Sequence, residues 1–168
     1  MSETTPIPEL ARRAKAASRV VATASTTQKD QGLHLAADLL LDRTADVLAA
    51  NATDVARAEG DGVAATVVDR LRLTEDRVAA MAAGLRQVAG LPDPVGEVID
   101  GWVRPNGLRI SRVKVPLGVV AVIYENRPNV TSDAAGLCLK SGNAAFLRGS
   151  SGAITSNQAI AGVLREGY

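Results

Sequence analysis

Two short polar stretches hold the residue types best suited to gripping an anion, Glu125-Asn-Arg-Pro-Asn129 and Arg148-Gly-Ser-Ser-Gly152. The second joins a guanidinium to glycines, hydroxyls and the amides of a helix start, groups that a phosphate or carboxylate favours. An ordinary polar turn between strand and helix has the same composition, so taken alone the stretch leaves both readings open. Neither the GxGxxG fingerprint nor the GxxxxGK phosphate loop occurs.

The surrounding elements decide whether the two stretches can act together. Val119 to Tyr124 carries no charged side chain and is rich in β-branched residues, which predicts a parallel strand buried on both faces. Asn129, Thr131 or Ser132 can cap the helix that follows, with Asp133 in its first turn, Lys140 in its last and Gly142 ending it. Asn143 to Arg148 predicts a second strand, and Ala153 to about Arg165 a further helix. Two parallel strands joined by a crossover helix bring both strand ends to one edge of the sheet. Ligands of open α/β sheets bind at that edge, so the two polar stretches are expected to be neighbours.

The run RPNGLRISRVKVPLGVVAVIYENRPNVTSDAAGLCLKSGNAAFLRG, with LPDPVGEV at Leu91 to Val98 upstream, resembles the γ-glutamyl phosphate reductase (glutamate-5-semialdehyde dehydrogenase) family of the aldehyde dehydrogenase superfamily. The resemblance runs from about Ala11 to Tyr168 and covers the N-terminal part of the family's chain. It implies an α/β fold: N-terminal helices and a β-hairpin, then the start of a Rossmann-like parallel sheet, incomplete here. Its division would be a helical part of the cofactor-binding domain over 1–95, an oligomerisation-type hairpin over 96–115, and the first β-α-β-α unit of the NADP-binding domain over 116–168, with the catalytic domain absent. The implied reaction is NADPH-dependent reduction of L-γ-glutamyl phosphate to L-glutamate 5-semialdehyde and phosphate, a step of proline biosynthesis. The alternative is a truncated, non-catalytic module that binds a nucleotide or a partner subunit.

By the same resemblance, Arg148 stands where the superfamily has a lysine reaching the adenosine ribose. Ser151 stands where many NAD-using relatives have a glutamate, which points to NADP(H). Gly149 and Ser150 complete that turn. Ile123, Tyr124, Glu125 and Asn126 form the loop on the nicotinamide side. Arg127 is a candidate for the acyl phosphate or the substrate carboxylate, or a partner for Glu125. Asn129 is the candidate oxyanion donor, with a helix cap as its other reading and Asn126 as its rival. Two positions depart from the family's usual pattern: Asn126, where a small residue is common, and Ser150, where LRGG is common. Cys138 sits mid-helix among small apolar residues and reads as a buried hydrophobe, not a nucleophile. The family's catalytic cysteine belongs to the half not present here.

Composition narrows the remaining classes. The 168 residues carry 19 basic and 18 acidic side chains, so there is no basic excess to hold nucleic acid or an anionic membrane. One cysteine excludes an internal disulfide and suits the cytoplasm. The N-terminal stretch has no apolar core of signal-peptide length, and no stretch approaches a membrane span. The resemblance adds a homo-oligomer when full length, with glutamate 5-kinase as a candidate partner.

The first ninety residues read as helices. After a leader to Pro8, Leu10, Ala14, Ala17, Val21 and Ala24 recur at helical spacing, and Ser25 to Asp30 breaks the pattern. A second helix is predicted over about Gln28 to Ala50, stopped by Asn51, with one more turn over Thr53 to Glu59. A short helix over Val63 to Leu71 and another capped by Thr74 and ended by Gly90 follow. Val98 to Arg104 and Leu108 to Val115 flank Asn106-Gly107 as a hairpin, and a phase change in the second arm predicts a bulge near Ser111 or Arg112.

Overall fold

The structure, a computed structural model, describes residues 5–168. The first four residues of the expected leader lie outside the described residues. Helix α1 (Ile7–Val21) starts earlier than its apolar spacing suggests, because Pro8 falls in its first turn, where a missing N–H costs nothing. The break after it is short. Ser25 forms a capping box with Gln28, and α2 (Thr26–Asp42) begins at once.

The predicted long second helix is in fact two. It stops at Arg43, and α3 (Thr44–Gly60) runs on through Asn51, which is buried rather than a cap. Asn51 is held inside the helix by long-range partners: its amide donates to the Leu71 carbonyl at 2.9 Å and to Ser156 Oγ at 3.0 Å, and its Oδ1 accepts the Leu73 N–H at 2.7 Å. Those bonds offset the turn-forming tendency that made it look like a stop. Helices α4 (Ala65–Leu71) and α5 (Glu75–Ala89) follow, the second capped by Thr74 Oγ1 accepting the Arg77 N–H and ended at Gly90.

The hairpin β1 (Val98–Val103) and β2 (Arg109–Val113) is antiparallel, with Trp102 opposite Ile110. Its irregularity lies in the first arm, not near Ser111 or Arg112. Val98 faces Val113 while Asp100 faces Arg112, so Ile99 is the extra residue. The connection is also longer than two residues. Arg104 donates its N–H to the Leu108 carbonyl and accepts the Gly107 N–H, with Gly107 at a φ of 84°.

Strand β3 (Val119–Ile123), helix α6 (Asn129–Lys140), strand β4 (Ala144–Arg148), a 3-10 turn (Ser151–Ala153) and helix α7 (Ile154–Gly167) form the expected β-α-β-α unit. The strands are parallel, pairing Val119 with Ala144 and Ile123 with Arg148. Strand β3 is not buried on both faces, and Ile123 is 78% exposed. Helices α1 and α6 lie chiefly over β4, which leaves β3 at the margin of the pair. Gly142, at a φ of 73°, makes the turn from α6 into β4, and a Cβ there would press on Pro116 at 2.8 Å.

The core lies where α2, α5, α6 and α7 meet, around Leu33, Leu40, Val78, Leu85 and Ile160. Small residues permit that closeness. A Cβ on Gly167 would come within 2.7 Å of the Ala36 Cα, so α7 rests directly on the backbone of α2. Two lysines are buried with it. Lys140 Nζ donates to Asp30 Oδ1 at 2.5 Å and to the Ala89 carbonyl at 2.8 Å, tying α6 to α2 and α5. Lys29 pairs with Asp93, whose carboxylate also accepts from Thr26 Oγ1 at 2.8 Å and the Val95 N–H at 3.0 Å.

Candidate functional site

The two polar turns meet. Tyr124 donates its N–H to the Arg148 carbonyl at 3.1 Å, and Ser150 Oγ donates to Asn126 Oδ1. The contact joins the two positions that depart from the pattern of the resembled family. It also means that the Asn126 side chain stands in the gap between the turns. A Cβ on Gly152 would meet Asn126 Oδ1 at 2.7 Å, so only glycine lets the second turn pass beside it.

Arg148 ends β4 as an exposed residue, and among the described residues its guanidinium has no carboxylate partner. The expected amides of the following helix are less free than composition suggests. Asp54, fully buried on α3, accepts the Ser156 N–H and Ser156 Oγ, each at 2.7 Å, and the Thr155 N–H at 3.3 Å. A carboxylate of the chain itself thus occupies the start of α7. Burial by itself would raise the Asp54 pKa, but the hydrogen bonds from Ser156 and Thr155 outweigh it and hold the carboxyl below its ordinary range. Arg57 pairs with Asp54 at 2.5 Å and donates to the Ser151 and Gly152 carbonyls at 3.3 and 3.2 Å, which fixes the Ser-Ser-Gly turn from behind. Sequence reasoning missed Asp54, Arg57 and Asn51, because each acts about a hundred positions away and nothing in local spacing announces it.

A second polar chain runs beneath the turns. Tyr124 and Thr131 share a hydroxyl hydrogen bond of 2.7 Å, and Thr131 Oγ1 donates to Asn157 Oδ1 at 3.2 Å. The Asn157 Nδ2 is buried without an acceptor among the described residues. It crowds Gly149, where any Cβ would collide with it.

Asn129 does not cap α6. It is the first helical residue, Pro128 precedes it in helical conformation, and Ser132 Oγ donates to the Asn129 carbonyl at 2.8 Å. The side-chain amide donates to Asp133 Oδ2 at 3.0 Å, which commits one of its two N–H groups and leaves the other for a ligand. Asp133 lies one turn further along than expected, outside the first turn. Although that residue is exposed overall, partial desolvation of its carboxyl raises its pKa, and the Asn129 hydrogen bond only partly offsets this. Arg127 forms no ion pair with Glu125; only its main-chain N–H reaches the Glu125 carbonyl, at 2.8 Å. Glu125 is exposed, as is Ile123. Cys138 is 7% exposed and its thiol is pushed up by burial, as suits a structural cysteine.

A curated γ-glutamyl phosphate reductase of Syntrophomonas wolfei is 52% identical over 94% of this chain and 38% of its own length. The crystal structure of the γ-glutamyl phosphate reductase of Thermotoga maritima superposes with a TM-score of 0.93 at 46% identity, over 95% of this chain and 39% of that one. Over nearly its whole length the chain is thus similar to γ-glutamyl phosphate reductases. It spans about two fifths of the length of the relatives it matches. No protein-family profile matches it. An NAD-dependent benzaldehyde dehydrogenase of Corynebacterium glutamicum, 17% identical, superposes with a TM-score of 0.71 over 99% of this chain and 35% of its own, which shows a shared aldehyde dehydrogenase fold. The helices, hairpin and parallel pair described above match the N-terminal part of that fold. Among the described residues, no helix is long and apolar enough to cross a membrane.

Proposed function

We propose that this chain supplies cofactor contacts for the NADPH-dependent reduction of L-γ-glutamyl phosphate to L-glutamate 5-semialdehyde and phosphate. The observation that carries the reading is the meeting of the Tyr124–Asn126 and Arg148–Ser151 turns on one sheet edge, in a chain 52% identical to a γ-glutamyl phosphate reductase. The residues suit an NADP(H) molecule at this edge. Arg148 offers an unpaired guanidinium to a ribose phosphate, Gly149 and Ser150 line the turn, and Ser151 sets no carboxylate against a 2′-phosphate. The nicotinamide, when bound, supplies the hydride.

The chain's own share of the chemistry is binding and polarisation. Ile123, Tyr124, Glu125 and Asn126 bound the nicotinamide side. The second N–H of Asn129, beside the one given to Asp133, is the proposed donor to oxygen as negative charge gathers on it. Arg127 offers a forked guanidinium to an anionic part of the substrate. Cys138, the single cysteine of these residues, is buried with a raised pKa, so the nucleophile that displaces phosphate is not among them. In this reading the helical part over 1–95 and the unit over 116–168 build a Rossmann-like cofactor domain, and the hairpin over 96–115 serves a homo-oligomer interface. The proposed setting is the cytoplasm, with glutamate 5-kinase as candidate partner.

The test is a fluorescence titration of the chain with NADPH and NADH. NADPH should bind the tighter, and Arg148→Glu should weaken NADPH by about tenfold or more while changing NADH less, because it sets a carboxylate against the extra phosphate. Equal affinities for the two dinucleotides, unchanged in the variant, would overturn the cofactor assignment.

A further inference from the structure

A groove runs between the α4–α5 turn and the start of α6, and Arg70, Arg72, Arg77, Arg127, Asn129 and Asp133 line it. Two of its four arginines are spent within the fold. Arg77 donates to the Asp69 and Arg72 carbonyls at 2.5 and 2.6 Å and pairs at 3.3 Å with the carboxylate of Asp69, which also lines the groove, and Arg72 pairs with Glu59 at 2.6 Å. Arg70 and Arg127 are exposed and, among the described residues, have no carboxylate partner. Among the described residues, Asp133 accepts only the Asn129 amide and has no salt-bridge partner. Two unpaired guanidiniums and an unpaired carboxylate thus share one concave surface without neutralising each other.

That pattern is the complement of an α-amino acid, which presents a carboxylate and an ammonium on one carbon. A carboxylate meets two forked donors, and the ammonium meets Asp133, whose under-solvated carboxyl gains from a cation. A simple dianion such as phosphate suits the groove less well, because Asp133 repels it. We propose that this groove holds the α-amino-acid head of the acyl-phosphate substrate, with Arg70 and Arg127 on the carboxylate and Asp133 on the ammonium. The assignment rests on the reductase reading above and adds to it Arg70 and Asp133, which lie outside both polar turns. Asn129, which lines the same groove, then lies within reach of the substrate it is proposed to polarise.

The experiment is a backbone-amide NMR titration of the chain with L-glutamate, with glutarate, which lacks the ammonium, and with inorganic phosphate, followed by NADPH in the same samples. L-Glutamate should shift the amides of residues 69–73 and 127–133. Arg70→Ala should raise its Kd about tenfold, the loss of one charge-assisted contact. Asp133→Asn should abolish the preference for L-glutamate over glutarate while leaving glutarate binding intact. Arg70 is exposed and unpaired, so its removal leaves the fold undisturbed. Absence of L-glutamate shifts at these residues, no change on Arg70→Ala, or tighter binding of phosphate than of L-glutamate would each overturn the proposal. Loss of the groove alone, with NADPH still shifting residues 148–151, leaves the reductase reading standing. Loss of both ligands removes both.

Discussion

The side-chain amide of Asn157 occupies the space that a Cβ on Gly149 would need. One residue opens α7 and the other turns the chain out of β4, so the strand end and the helix interlock through a missing methyl group. Gly149→Ala is expected to cost about 1–3 kcal/mol, the usual range for overpacking a tight site. Combining it with Asn157→Ala should recover part of that loss, because the second change removes the atom in the way. Urea unfolding of the single and double variants measures both, and additive losses would show that the two residues do not share the space.

Asn126 and Ser150 close the gap between the turns from opposite sides. A neutral hydrogen bond of this kind is worth about 1 kcal/mol. If a dinucleotide must part the pair, Asn126→Gly should tighten NADPH binding by about fivefold, the equivalent of that energy. Ser150→Gly should act in the same direction, and the double variant should gain little more than either single one. Dissociation constants by fluorescence decide it, and weaker binding in both variants would mean that the pair forms part of the grip.

Some of this was legible from the residues and some was not. The parallel pair and the approach of the two turns followed from short-range signals: a β-branched run, a helix of crossover length and the left-handed Gly142. The role of Asn51 was not legible, because an asparagine between helical runs usually ends one. Only partners on Leu71, Leu73 and Ser156 make it a buried strut instead. The bulge was misplaced for a related reason. Apolar phase reports which residues face inward, and a bulge in either arm shifts that phase between the strands, so pairing with the opposite arm is needed to locate Ile99. At the site, composition overstated the freedom of the helix amides, since the acceptor that occupies them, Asp54, lies on α3.

Acid should unfold the protein partly through Asp54 and Asp93. Burial raises each carboxyl, but hydrogen bonds, and for Asp93 also the Lys29 ammonium, bring both below their ordinary value of 3.8. A carboxyl whose pKa is lower folded than unfolded contributes its full stability above the unfolded value. That contribution is lost as pH falls through the folded one. The urea midpoint is therefore expected to hold steady from about pH 7 to pH 5 and to drop below about pH 4. Asp54→Asn should cost about 1.5–3 kcal/mol at neutral pH, the worth of a charge-assisted acceptor, and should make the acid limb shallower.

Lys140 links three helices through one ammonium group. Lys140→Ala strips Asp30 of its partner and the Ala89 carbonyl of its donor, and should cost about 3 kcal/mol, as breaking a buried ion pair does. Thermal unfolding with Arg70→Ala as the surface control measures it, and a change as small as the control's would show that solvent replaces the ammonium without penalty.

The two sealed amines carry a consequence for anyone who handles the protein. An amine-reactive reagent meets Lys15 and Lys114 at the surface at once, whereas Lys29 at 2% exposure and Lys140 at 4% are shielded by their neighbours. Acylation at those two positions therefore keeps time with the parting of the helices. A mass spectrum taken at intervals becomes a clock for transient opening that needs no added probe.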